Sequence, residues 1–254
     1  MTKRMSFRVP LITVCLFFSF IFPVFADDFL SHFELQNALK EVVKKNNGGF
    51  GLNMWCTIID RDGVVKVVVF SGNNRGDQWP GSRVISAQKA NTANAFSLPT
   101  LALSTANLFY AVQPGGSLYG LQHSNPVNPE VAYRGKSKEI GTPKDPMVGY
   151  KIGGVNVFGG GLALYNSKGE VIGALGVSGD SSCADHNIAW KLRHKIKLDY
   201  VPAGVSLNND DNIINDMVDG ISSSGWGHPQ CSLKASKIAK NLPKTHPIRT
   251  KSNK

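Results

Sequence analysis

Beyond residue 26 the sequence has no long uninterrupted apolar run, so nothing later in the chain reads as a membrane span. It has no strand–GxGxxG–helix pattern. Gly153-Gly154 and Gly159-Gly160-Gly161 therefore read as close backbone packing at a strand edge rather than a phosphate cradle. No nucleophile-elbow pattern surrounds Ser71, Ser178 or Ser181, which leaves serine hydrolysis unsupported. The four cysteines show no CxxC spacing and the six histidines no HxxxH, so a metal site has no sequence signature. No nucleic-acid-binding motif is present either. Acidic residues are absent from two regions, the first 26 residues and the last 21.

Those two regions account for the net charge of +10. Lys3, Arg4 and Arg8 precede the apolar stretch Val9 to Phe22, and Pro23 leads into the small-residue pattern Val24-Phe25-Ala26. This order is that of a secretory signal, with cleavage expected before Asp27; the apolar run is short for an anchor helix. The chain is thus expected to be periplasmic or secreted, without a transmembrane anchor after cleavage. Lys234 to Lys254 carries seven basic residues and no acid. It reads as a basic disordered tail, with weak adhesion to polyanions or anionic lipid as the functional rival. The remaining body, residues 27–233, is formally neutral and long enough for one substantial core.

Cys15 falls within the signal. Cys56 lies in an apolar strand pattern, where a free thiol behaves as a small hydrophobe. Cys183 and Cys231 lie in polar, turn-rich context and are expected to pair in an oxidising compartment. Closing a loop of that length stabilises by about 4 kcal/mol in the chain-entropy model.

Ser31 and Glu34 form a capping box ahead of an amphipathic helix bearing Leu35, Ala38, Leu39, Val42 and Val43. Alternation over Leu52 to Ile59, a turn at Asp60-Arg61-Asp62-Gly63 and a Val-rich run from Val64 to Phe70 predict a hairpin. Ser82 is placed to cap a helix from Arg83 to about Phe96, and a short helix is expected from Ser97 through Ala106. Gln113 to Pro146 is the longest irregular stretch. A second hairpin spans Leu162 to Ser178 and feeds a helix that Ser182 can cap, with Ala184, Ile188, Leu192 and Ile196 facing the core. Asn208 to Met217 reads as room for a short helix. Antiparallel hairpins interleaved with helices give an α+β domain.

Five segments then occur in order: Ile58 to Gly63 (IIDRDG), Ser86 to Ala95 (SAQKANTANA), Gly159 to Gly161, Gly173 to Gly179 (GALGVSG) and Ala184 to Ala189 (ADHNIA). Together they resemble the GlcG/HbpS-like family, often called haem-binding or haem-degrading, over Leu35 to Trp190. The resemblance implies a profilin-like antiparallel sheet with helices packed on it, homo-oligomers, and haem as the cofactor. The signal, the second cysteine and the region after Leu198 point to an exported subgroup.

Haem needs an apolar slot, cations for its propionates and an axial side chain. His123, beside Tyr119 in the long loop, reads as an iron ligand or as an ordinary loop histidine. His186 reads as a second candidate ligand or as a helix residue stacked on Trp190. Arg83 and Lys89 read as propionate partners or as solvated helix charges. Asp185 reads as a helix cap or an acid/base group. The expected haem site is bordered by Gln113–Pro146 and the first turn of the Asp185 helix. The rival function is an enzyme acting on an organic acid or on haem.

Overall fold

The computed structural model describes Met1 and residues 29–250; the expected signal segment otherwise lies outside the described residues. Helix α1 (His32–Val43) opens with the reciprocal Ser31–Glu34 capping box. Strands β1 (Trp55–Asp60) and β2 (Val65–Phe70) form the first hairpin, and α2 (Ser82–Ala95) follows. The long loop holds two single turns, α3 (Leu121–Ser124) and α4 (Pro129–Ala132). Strands β3 (Gly161–Tyr165) and β4 (Val171–Ser178) make the second hairpin and lead into α5 (Ser182–Lys195). A small ladder of β5 (Met217–Val218) and β6 (Ile221–Ser222) precedes α6 (Leu233–Thr245).

The sheet runs β2-β1-β4-β3, antiparallel throughout, with β1 and β4 paired from Trp55↔Ser178 to Asp60↔Gly173. Strand periodicity sends Cys56 and Ile58 to one face and Trp55 and Ile59 to the other. The first face packs on Leu35, Leu39 and Val42 of α1, Ile188 and Leu192 of α5, and Leu242 of α6. The second packs on Val84, Ala87, Ala90 and Ala93 of α2. The result is an α+β fold with helices on both faces of one sheet.

The α2 seam explains two of the sequence motifs at once. A Cβ on Gly176 would lie 1.9 Å from the Ser86 carbonyl oxygen, and one on Gly161 would lie 2.5 Å from that of Lys89. Serine and alanine on α2 and glycine on the strands let the two backbones meet. Thr57 and Ser86 share a buried hydroxyl hydrogen bond of 2.7 Å across the same seam.

Cys183 and Cys231 are disulfide-bonded, while Cys56 is free and buried, as its strand position predicts. Several local expectations need correction. Gly81, not Ser82, is the N-cap of α2, and no side chain caps it. Ser181, not Ser182, precedes α5 as its N-cap, because the Ser182 hydroxyl accepts from the Gly159 N–H instead. Residues 97–104 are not helical; they make a turn at Pro99-Thr100 and lead into a 3-10 helix over Thr105–Leu108, capped by Ser104. Asn208–Met217 forms no helix and ends in β5.

The largest correction concerns the basic tail. Residues 233–245 form α6, with Ala235, Ala239 and Leu242 buried. Asn187 donates to the Ala235 carbonyl, Asn212 to that of Ala239, and the Trp190 indole to that of His246. Arg249 pairs with Asp199. Small apolar residues at helical spacing bury one stripe while Lys234, Lys237, Lys240 and Lys244 stay outside, so composition alone concealed an amphipathic helix. No helix among the described residues is long and apolar enough to cross a membrane.

Candidate functional site

A cavity of about 610 Å³ opens between the N-terminus of α2, the loop before it and the 132–140 segment. Trp55, Pro80, Val84, Ala132 and Ile140 supply apolar wall, and Arg75, Tyr133 and Arg134 line it as well. The loop before α2 is ordered by local chemistry. Asp77 accepts from the Asn73 and Asn74 N–H groups, which hold its carboxyl below the usual range. Buried Gln78 bridges the Gly72 N–H and the Asn74 carbonyl, and the Trp55 indole donates to the Trp79 carbonyl.

Arg83 fixes the opposite wall. Its guanidinium donates to both Asp145 carboxylate oxygens, at 2.9 and 2.5 Å, and to the Ala132 carbonyl at 2.9 Å. Asp145 in turn accepts from the Gly141 and Met147 N–H groups. Arg83 is thus enclosed and neutralised. Arg75 and Arg134 are exposed, and neither forms an ion pair among the described residues; Arg134 lies over the Tyr150 ring at 3.9 Å. The uncapped N-terminus of α2 adds the positive end of a helix dipole to this wall. The cavity is therefore apolar inside and cationic at its border, and suits a flat apolar ligand with carboxylates.

The other residues singled out from the sequence lie elsewhere. Lys89 is buried at the α2 seam, donating to Asp185 Oδ2 at 2.7 Å and to the Val177 carbonyl at 3.0 Å. Asp185 Oδ1 accepts from the Asp180 N–H. Burial pushes the Asp185 carboxyl up to about 6 and the Lys89 ammonium down. His186 is wholly enclosed. Its Nε2 accepts from the Ile213 N–H and contacts Asn212, Nδ1 is buried with no partner among the described residues, and its ring tilts against Trp190 at 6.3 Å. In this arrangement Lys89 and His186 have no opening to a ligand. His123 and Tyr119 are exposed on the turn around α3, and neither lines the arginine-bordered cavity. The long loop packs instead through Val131, Ala132 and Met147 onto the α2 face of the sheet. Sequence reading did not single out Arg75, Arg134 or Tyr133. The available signals were the basic run Arg134, Lys136, Lys138 inside the long loop and the Trp79-Pro80-Gly81 turn just before a helix.

The buried histidines give a pH signature. Burial lowers His186 and His228 to about 4 each. Their folded values lie below the unfolded 6.5, so the stability they confer is present above pH 6.5 and lost as pH falls through 4. Each contributes about 3 kcal/mol over that window. Asp185 works oppositely: its folded value is raised, so its contribution is present below pH 3.8 and lost as pH rises through 6. It offsets about one histidine. Urea unfolding is expected to show about 3 kcal/mol less stability at pH 4 than at pH 7, and a His186→Gln chain a shallower loss. A flat profile would contradict the enclosed neutral histidines.

An antiparallel sheet between helices, seamed by a glycine-rich strand on a small-residue helix, defines the class of domain. The family described as haem degrading protein HbpS-like matches residues 31–192, and the chain belongs to that family. Solved structures similar to it include a complex of PduOC with haem, at 27% identity, TM-score 0.43, covering 63% of this chain and 88% of that one. The Klebsiella pneumoniae protein ORFY is 23% identical, at TM-score 0.43, over 66% of this chain and 90% of its own. HbpS is 17% identical, at TM-score 0.38, over 63% of this chain and 83% of its own. Among curated proteins, none matches.

Proposed function

We propose that this chain is an exported haem-binding protein, serving haem uptake, buffering or sensing, and that haem occupies the cavity at the α2 N-terminus. Family membership supports a haem-related role. The observation that carries the placement is an apolar interior bordered by two exposed arginines, Arg75 and Arg134, that form no ion pair among the described residues. Trp55, Val84, Ala132 and Ile140 would hold the macrocycle, Arg75 and Arg134 its propionates. Tyr133, exposed at the cavity, is the lining side chain able to offer iron an oxygen. Bound haem would supply an iron centre for ligand or electron chemistry. Export rests on the order of charges and apolar residues in the first 26 positions, and self-association on the resemblance of the sequence motifs.

Titration of the purified chain with haem is expected to give a saturable Soret band. Arg75→Ala with Arg134→Ala should weaken binding roughly 10- to 100-fold without altering the band, because each removes a charge-assisted contact remote from iron. Tyr133→Phe should shift the spectrum. His123→Ala and His186→Ala test the ligands read from the sequence; a spectral change in either would move the site. Loss of the Soret band with time under reductant and oxygen would indicate turnover of haem rather than storage. No saturable spectrum at all would sink the proposal.

A further inference from the structure

The region beyond the family match brings two side chains to Cys183, in a cluster that the haem reading does not use. Cys183 is the second residue of α5, and His228 and Cys231 come from the segment ahead of α6. One ligand atom from each of Cys183, His228 and Cys231 lies within 4.8 Å of the others. We propose that, when the Cys183–Cys231 bond is reduced, these three side chains bind one thiophilic divalent cation of the zinc class.

The backbone is already suitable. The two cysteine Cα atoms are 5.9 Å apart. Two thiolates on one zinc at the usual Zn–S distance stand about 3.8 Å apart, which side-chain rotation can reach. Each sulfur accepts a backbone N–H from the other cysteine, Cys183 N to Cys231 Sγ at 3.1 Å and Cys231 N to Cys183 Sγ at 3.2 Å. Such donors favour the thiolate form that a metal requires.

The imidazole is held at both nitrogens. His228 Nε2 lies 2.8 Å from the Ser182 hydroxyl and Nδ1 lies 2.8 Å from the Pro229 carbonyl. Whichever nitrogen turns to the ion, the other keeps a partner that fixes the ring, as metal-bound histidines usually have. Cys183 and His228 are buried while Cys231 is exposed, so the ion would enter from the Cys231 side and keep a solvent ligand there. Two thiolates and a neutral imidazole balance a divalent charge.

The chemistry closes. A dithiol or phosphine reductant gives two electrons, two protons are taken up, the S–S bond breaks and two thiols form. The reductant leaves as its own disulfide or phosphine oxide, the latter with an oxygen atom from water. Ion binding then releases both thiol protons as two S–metal bonds and one N–metal bond form. Reoxidation by a small-molecule disulfide, which takes up two electrons and two protons and leaves as two thiols, re-forms the Cys183–Cys231 bond and expels the ion. The site is a redox-gated metal clasp joining α5 to the chain's last segment.

The test uses the full haem-free chain, reduced, freed of reductant and titrated anaerobically with Co²⁺ as spectroscopic probe. Expected are one Co²⁺ per chain, thiolate-to-cobalt charge-transfer absorption and displacement by Zn²⁺, all missing from the oxidised chain. Cys231→Ser should weaken or remove the charge-transfer band, and His228→Ala should lower affinity at least tenfold while keeping it. Should Cys231→Ser not fold, alkylation of Cys231 in the reduced wild-type chain replaces it, with folding followed by far-UV circular dichroism. The proposal is overturned by a folded reduced chain with no saturable charge-transfer band, or by His228→Ala with unchanged affinity. A reduced chain that unfolds and is not restored by Co²⁺ overturns it as well.

Discussion

Lys89→Met is expected to cost about 3–5 kcal/mol at pH 8, because it leaves the Asp185 carboxylate buried without its cation. Both side chains are almost fully enclosed, and the 2.7 Å contact between them is the centre of the α2 seam. Asp185 can escape part of this cost by taking up a proton, since burial already holds it near 6. The deficit should therefore shrink toward pH 5. Lys89→Met combined with Asp185→Leu should recover much of the loss, as paired removal leaves no unmatched charge. Urea denaturation followed by tryptophan fluorescence measures all three chains. A single variant within about 1 kcal/mol of wild type would mean that water reaches the pair.

Ending the chain after Ser232 should destabilise it by about 4 kcal/mol or more. Leu242 alone buries a full apolar side chain against the sheet-facing core, and Ala235 and Ala239 are removed with it. The buried amides of Asn187 and Asn212 and the Trp190 indole also lose carbonyl partners supplied by this segment. A fall in melting temperature of roughly 10 °C or more follows for a domain of this size. Changing exposed Lys234, Lys237, Lys240 and Lys244 to Gln should leave the melting temperature nearly unaltered. That pair of variants separates the packing of α6 from its charge; equal losses in both would refute the packing account.

The parts of the fold governed by short-range pattern were legible. The Ser31–Glu34 box, the alternation through Cys56 and Ile58, the two tight turns and the four-residue spacing in α5 all act within a few residues. The disulfide was legible because redox context and local polarity left one sensible pair. Enclosure of polar side chains was not. Lys89, Arg83, Asp185 and His186 look like surface residues along the chain, yet each is buried by something far away in sequence. Val177 and Asp185 enclose Lys89, Asp145 and Ala132 enclose Arg83, and the 211–213 segment closes over His186. The cavity was hidden for the same reason, since Arg75 and Arg134 line one cavity only once Arg83 ties Ala132 and Asp145 to α2. The packing of α6 was missed because alanine at helical spacing carries little weight in composition.

The covalent link between Cys183 and Cys231 closes a loop whose ends are 48 residues apart. Within it Leu207, Asn208 and Asn209 form a fully exposed tip, and Val218 to Ile221 form another. Such tips are where peptidases cut first. A cut at either place would sever the backbone without releasing anything, because the bridge would still tether the final segment to the body. The nicked protein would gain only the water of one hydrolysed peptide bond and would reveal two fragments only after reduction. The bridge thus makes the loop's integrity dispensable for keeping the molecule in one piece.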